Sequence, residues 1–140
     1  MKNRMGYTVY WVAKPVDGVT MTEWINAVRT VIDPILKIHY EQGSLTILGT
    51  SEPFYATQDC TGIRLCKTDN QPYTADCMKA MVLMLEYGLA TEIFADNMDG
   101  FTGALEAVNT IIPLQTYEAQ KRYFEEALLS GMFEMFDHNY

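Results

Sequence analysis

The sequence predicts an α+β fold in a single domain, with antiparallel strands backed by helices on one face. Three observations predict it. Short runs rich in Tyr, Trp, Val and Ile alternate with longer runs at helical spacing. No apolar stretch approaches the ~20 residues that span a bilayer. A chain of 140 residues with 49% hydrophobic content can bury one core, so disorder is not the default.

Residues 6–13, GYTVYWVA, alternate and carry the aromatic and β-branched side chains that suit a pleated surface, and Lys14-Pro15 ends this strand. In VTMTEW, Thr20 as N-cap with Glu23 three residues on makes a capping box, and Val19 can staple against Trp24. The helical stripe then runs through Trp24, Val28, Val31, Ile35 and Ile38 as far as Tyr40, where Gly43 stops it. Pro34 inside this run predicts a kink or a break.

Residues 44–50, SLTILGT, form the second strand, 51–60 a loop, and 61–68, TGIRLCKT, the third strand, with Ile63 and Leu65 on one face. Pro72 suits the first turn of a helix that runs to Tyr87, with Gly88 as its C-terminal signal. That helix is apolar nearly all round, so the sheet must cover one face and another element or a second subunit the rest. A homodimer is one way to supply that cover, and the sequence leaves the oligomeric state open. Residues 90–96, ATEIFAD, are the fourth strand, 97–115 a loop with one weak helix, and 116–136 a final amphipathic helix with Tyr123, Phe124, Ala127 and Leu128 inward. The order over residues 6–96 is the ferredoxin-like βαββαβ arrangement, sheet order 4-1-3-2, with both helices on one face and a C-terminal helix added.

Charge excludes some partners. The formal charge is -8, from 18 acidic against 10 basic residues, and the basic residues form no run. Binding to a phosphate backbone or an anionic membrane draws on clustered Lys and Arg, so neither nucleic acid nor membrane is an expected partner. The opening MKNRMGYTVYWVAKP lacks the long apolar region and cleavage site of a secretory leader, which predicts a cytoplasmic protein. Cys60, Cys66 and Cys77 are odd in number and none stands at C-x2-C spacing, so no metal and no cofactor are expected.

In the predicted sheet, the end of the third strand, the start of the helix behind it and the end of the fourth strand lie at one edge. Segments 66–73 and 96–100 are then neighbours. The helix start offers backbone N–H groups and a partial positive charge, Lys67 adds a cation and Thr68 a hydroxyl, and Asp96 and Asp99 supply acceptors across from them. Such an edge suits a ligand with both anionic and hydroxyl groups. The plainer reading is a solvated lysine beside ordinary turn and helix-start residues. For Cys66, a buried inert thiol is the plain reading; a reactive one would need its pKa lowered by Lys67 and the helix end.

Other motifs carry less. Against the calcium-loop template, Asn97, Asp99, Gly100 and Glu106 match, but Ala95 stands where the first ligand belongs. His39 and His138 are isolated, and no nucleophile motif or phosphate-binding glycine loop occurs. Met78, Met81, Met84, Met132 and Met135 read as core before they read as an adaptable groove.

The strings GYTVYWVAKP and CKTDNQPY, followed by Asp-Gly after the next strand, resemble a small uncharacterised family of T-even-type tailed phages that also occurs in some bacteria and large viruses. The likeness covers residues 6–100, with the GYxxYW start and the CKTxxxPY string as its markers. It implies a phage or virus origin, hence the host cytoplasm, and Cys66, Lys67, Thr68, Pro72, Tyr73, Asp99 and Gly100 as shared positions. Family members often carry Asp after the Pro-Tyr pair, where this chain has Thr74. The likeness implies no activity. The sequence thus leads to a non-catalytic accessory protein that binds a host protein or a small anionic ligand through Cys66, Lys67, Thr68, Pro72, Tyr73, Asp96, Asp99 and Gly100. The alternative is a small enzyme on a phosphorylated or nucleotide substrate, with Lys67 on the anion and Asp96 or Asp99 as base. An acidic decoy for a host nucleic-acid-binding factor ranks last, because the charges are dispersed.

Overall fold

The computed structural model describes residues 6–138, and the side chains of residues 6–130. Its elements are β1 (Thr8–Ala13), α1 (Gly18–Val31), β2 (Lys37–Glu41), β3 (Ser44–Leu48), β4 (Phe54–Thr57), β5 (Gly62–Lys67), α2 (Thr74–Tyr87), β6 (Ala90–Ala95), α3 (Asp99–Ile111) and α4 (Tyr117–His138). Met132 and Met135 lie outside the described side chains.

The class is α+β, but the strands divide into two antiparallel sheets of order β5-β1-β6 and β2-β3-β4. The expected adjacency of the first, third and fourth strands is present as β5-β1-β6. The expected second strand is β3, and it pairs with β2 and β4 instead of extending that sheet, so a single sheet of order 4-1-3-2 does not form. Two runs read otherwise from sequence make the second sheet. Residues 35–40 continue a helical stripe in sequence, but α1 ends at Val31, and Ile38, His39 and Tyr40 stand on β2. Pro34 is the physical reason, since it bars the helical conformation for the residue before it. Gly43, at φ 83°, then closes a two-residue turn that pairs Glu41 with Ser44. Residues 54–57, expected as loop, form β4, with Phe54 and Ala56 buried. They join Leu45 and Ile47 as the inner face of the meander.

The helix starts also differ. Asp17, not Thr20, caps α1, its Oδ1 accepting from Thr20 N–H at 2.7 Å. Val19 is 71% exposed and staples nothing. Residues 97–115, expected as loop with a weak helix, hold the 13-residue α3, whose Phe101, Ala104, Leu105 and Val108 recur at helical spacing and are buried.

One core joins all of this. Val9, Trp11 and Ala13 turn inward from β1, Trp11 lies 4.8 Å from Phe54 ring to ring, and Cys66 and Ile93 face the same way from β5 and β6. Against that face α2 packs, apolar all round because α1, α3 and β6 surround it. The cover that the sequence left open to a second subunit is supplied within the chain. Trp24, fully buried on α1, donates from Nε1 to the Ala80 carbonyl of α2 at 3.1 Å. Gly88, at φ 83°, closes α2 as expected. Among the described residues no helix is long and apolar enough to cross a membrane.

Candidate functional site

The register sets the site. Thr8, at the start of β1, stands opposite Lys67 at the end of β5, and Val9 opposite Ala95 at the end of β6. Both outer strands therefore finish beside the start of β1 and hand the chain to α2 and α3. The Tyr7 carbonyl accepts from Thr68 and Asp69 N–H, both at 3.1 Å, and the Thr8 carbonyl from Asp96 N–H at 3.1 Å. The expected meeting of segments 66–73 and 96–100 is what these bonds create.

Between them opens a cleft of about 460 Å³. Its walls are Asn70, Gln71 and Pro72 with the first residues of α2, Thr74 and Ala75, and opposite them Asn97, Asp99 and Gly100 at the start of α3. Tyr7 stands at the β1 end, and Met78 also contributes to the lining. Tyr73 and Met98 occupy the cap positions and neither makes a capping bond, although Asn97 Oδ1 accepts from the first N–H of α3. Two helix N-termini thus address one cleft with first-turn N–H groups and aligned dipoles.

The turn before α2 is unusual. Asp69 and Asn70 are both left-handed, at φ 54° and 57°, and Gln71 N–H closes the turn on the Thr68 carbonyl at 3.1 Å. Two adjacent non-glycine residues of this hand make the type I′ pattern, which Asp and Asn tolerate best. Ser51 Oγ donates to Asp69 Oδ2 and holds the turn from outside. The turn places Asn70 and Gln71 in the wall of the cleft.

Of the residues expected at the site, Pro72, Asp99 and Gly100 line the cleft. Cys66, Thr68 and Tyr73 are buried behind it. The Thr68 hydroxyl accepts from that of Thr74 at 2.7 Å, which uses it structurally. Tyr73 donates to the Glu52 carbonyl, and its ring lies so close to Gly49 that a methyl group there would overlap it. Burial pushes the Cys66 thiol up to about 11, and the thiol donates to the Glu52 carbonyl at 3.4 Å, so the plain reading of this cysteine holds.

Lys67 and Asp96 are not in the cleft. Lys67 pairs with Thr8, whose side chain points to the face of the sheet opposite Val9 and Cys66, so the lysine projects away from the core and from α2. Asp96 accepts from Thr8 N–H at 2.8 Å and from the Tyr10 hydroxyl at 3.2 Å, which ties it to the strand.

Tyr7, Asn70, Gln71, Ala75 and Asn97 are not among the residues expected at this site, although Asn97 enters the calcium-loop comparison. The Asp-Asn dipeptide was the one available signal, since it favours left-handed turns. The Tyr7 hydroxyl donates to the Asn97 carbonyl, and burial, aided by the charges of Asp96 and Asp99, pushes its pKa up to about 12. It is a neutral donor at ordinary pH. Asp99 N–H donates to Asn97 Oδ1 at 2.8 Å, leaving the Asp99 carboxylate as the cleft's acceptor. Among the described residues, no group of three or more His, Cys, Asp or Glu is placed to hold a metal ion.

The arrangement defines an α+β protein with a polar cleft between two helix starts. No family model matches the chain, and no curated protein or solved structure matches it either.

Proposed function

We propose that the protein is a non-catalytic binder of a small anionic ligand that also carries hydroxyl groups, of the size of a sugar phosphate or mononucleotide. The observation that carries this reading is the convergence of two helix N-termini on one cleft of about 460 Å³, with no side-chain cap on α2 and only the Asn97 amide oxygen on the first N–H of α3. The anionic group belongs at Ala75, where the first-turn N–H and the α2 dipole favour it, the Thr74 N–H being engaged by the Gln71 carbonyl at 2.9 Å. Its hydroxyls belong near Asp99, whose carboxylate accepts, and the Asn70, Gln71 and Asn97 amides can donate or accept around the rim. Each helix end contributes about 0.3–2 kcal/mol, so the hydroxyl and amide contacts must supply most of the affinity.

The enzyme reading draws less support. It asked for Lys67 on the anion, and that side chain projects from the opposite face of the sheet. Within the cleft, Asp99 has no histidine or second carboxylate beside it to complete an acid–base pair. The likeness to the T-even-type phage family supplies the proposed setting, the cytoplasm of an infected host.

Thermal denaturation with inorganic phosphate, ribose 5-phosphate and adenosine monophosphate tests the reading. At least one of the two phosphorylated sugars should raise the melting temperature more than phosphate alone. Ala75→Asp places a carboxylate at the α2 terminus, which suits the dipole and repels the ligand; it should keep or raise the basal melting temperature and abolish the shift. No shift with any of the three, or an undiminished shift in Ala75→Asp, overturns the proposal.

A further inference from the structure

The face of the β5-β1-β6 sheet turned away from the helices is apolar at its centre and charged at two opposite corners. The register sets Leu65, Tyr10 and Phe94 side by side across its middle, with the Tyr10 and Phe94 rings stacked at 4.9 Å. Leu65 is 50% exposed, and Ile63, the next residue of β5 on this face, is 65% exposed. Lys67 stands at one corner, at the end of β5, and Glu92 at the diagonally opposite corner, on β6 across from Val12. Both are exposed.

We propose that this face is a two-fold interface between two copies of the chain, packed sheet on sheet with strands crossing near a right angle. Orthogonal packing is one of the two ways that sheets stack. A two-fold axis laid along the diagonal through Ile63 and Tyr10 exchanges the other two corners. Lys67 of each copy then meets Glu92 of the other, so two ion pairs form at opposite ends of the contact. Ile63 and Tyr10 meet their own counterparts, and Leu65 meets Val12. Asp96 meets its own counterpart at the remaining corner, where the Thr8 N–H and the Tyr10 hydroxyl already engage its carboxylate. Opposite charge on the two corners that the axis exchanges is what favours a second copy over an unrelated partner. Three short strands make a contact smaller than a standard interface, so the dimer is weak, with a dissociation constant in the micromolar range.

Sedimentation velocity over a range of concentrations tests this on the full chain, with circular dichroism as a check on folding. The mass should rise from the 16.0 kDa monomer toward twice that value with concentration. Lys67→Glu and Glu92→Lys should each weaken association by at least about tenfold, and the double reversal should restore it to within about threefold of the wild type. Leu65→Asn, at the centre of the face, should weaken it as well and keeps the test decisive if Lys67→Glu disturbs its strand. A monomeric mass at every concentration, a dimer indifferent to the single reversals and to Leu65→Asn, or a double reversal weaker than either single one overturns the proposal.

Discussion

Tyr73 and Gly49 form the tightest pairing behind the cleft. The ring of Tyr73 occupies the space that a side chain at residue 49 would need, and its hydroxyl reaches the Glu52 carbonyl. Gly49→Ala forces the ring or the backbone after β3 to move, and overpacking of this kind costs about 1–3 kcal/mol. Chemical denaturation of the variant should show that loss; an unchanged midpoint would contradict the packing described. Tyr7 makes a pH-dependent prediction. Its phenol ionises near 10 when unfolded and is pushed up to about 12 when folded, because burial and neighbouring carboxylates disfavour the phenolate. The folded state holds the proton more tightly, so the stabilisation is complete below pH 10 and is lost as pH rises to about 12. Tyr7→Phe should be less stable than wild type at neutral pH by about 1 kcal/mol, the worth of its hydrogen bond. The gap should close between the two pH values when unfolding is followed by circular dichroism. A gap that stays constant would contradict the assignment.

Among the elements, α4 has its N-terminal end tied to α2 by one carboxylate. Glu86, near the end of α2, accepts from Gln115 N–H at 3.1 Å, from Thr116 N–H at 3.0 Å and from the Thr116 hydroxyl at 2.6 Å. It therefore serves the N-terminal end of α4 as a cap borrowed from α2, beside Gln120, which donates to the Val82 carbonyl at 3.2 Å. Glu86→Ala should cost about 1–2 kcal/mol and speed amide hydrogen exchange in the first turns of α4, with α2 unaffected. Equal acceleration throughout both helices would mean that the carboxylate does not act as a local cap. The same scale shows what the sequence conveyed and what it did not. Strands β1, β5 and β6 and helix α2 were legible because their periods, and the Pro72 and Gly88 signals, agree with the tertiary packing. Strand β2 was not, since Ile35 and Ile38 continue a helical period by coincidence, and only Pro34 argued against it. Ile35 is 85% exposed and faces no core, whereas Ile38 packs against the core from β2. Helix α3 reads from sequence as no more than a weak helix within a loop because Gly100, Thr102 and Gly103 lower its intrinsic propensity, which the burial of Phe101, Leu105 and Val108 overrides.

For the molecule as a whole, the edge that holds the cleft was legible and its chemistry was not. Sequence order alone brings the ends of β5 and β6 to the start of β1, which is why Pro72, Asp99 and Gly100 fell in place. Which way Lys67 points depends on strand register, and a shift of one residue reverses every side chain, so its departure from the cleft could not be read from spacing. The lysine instead marks one corner of the outer sheet face, where it bears on association rather than on the ligand. The central claim is that the start of α2 holds the anionic group and the start of α3 the hydroxyls of one ligand, and amide chemical-shift mapping with ribose 5-phosphate tests it most directly. The account predicts saturable shifts concentrated at Thr74, Ala75, Asp99 and Gly100, with Lys67 and Asp96 nearly unmoved. Shifts absent from both helix starts, or concentrated instead around Lys67, would contradict it.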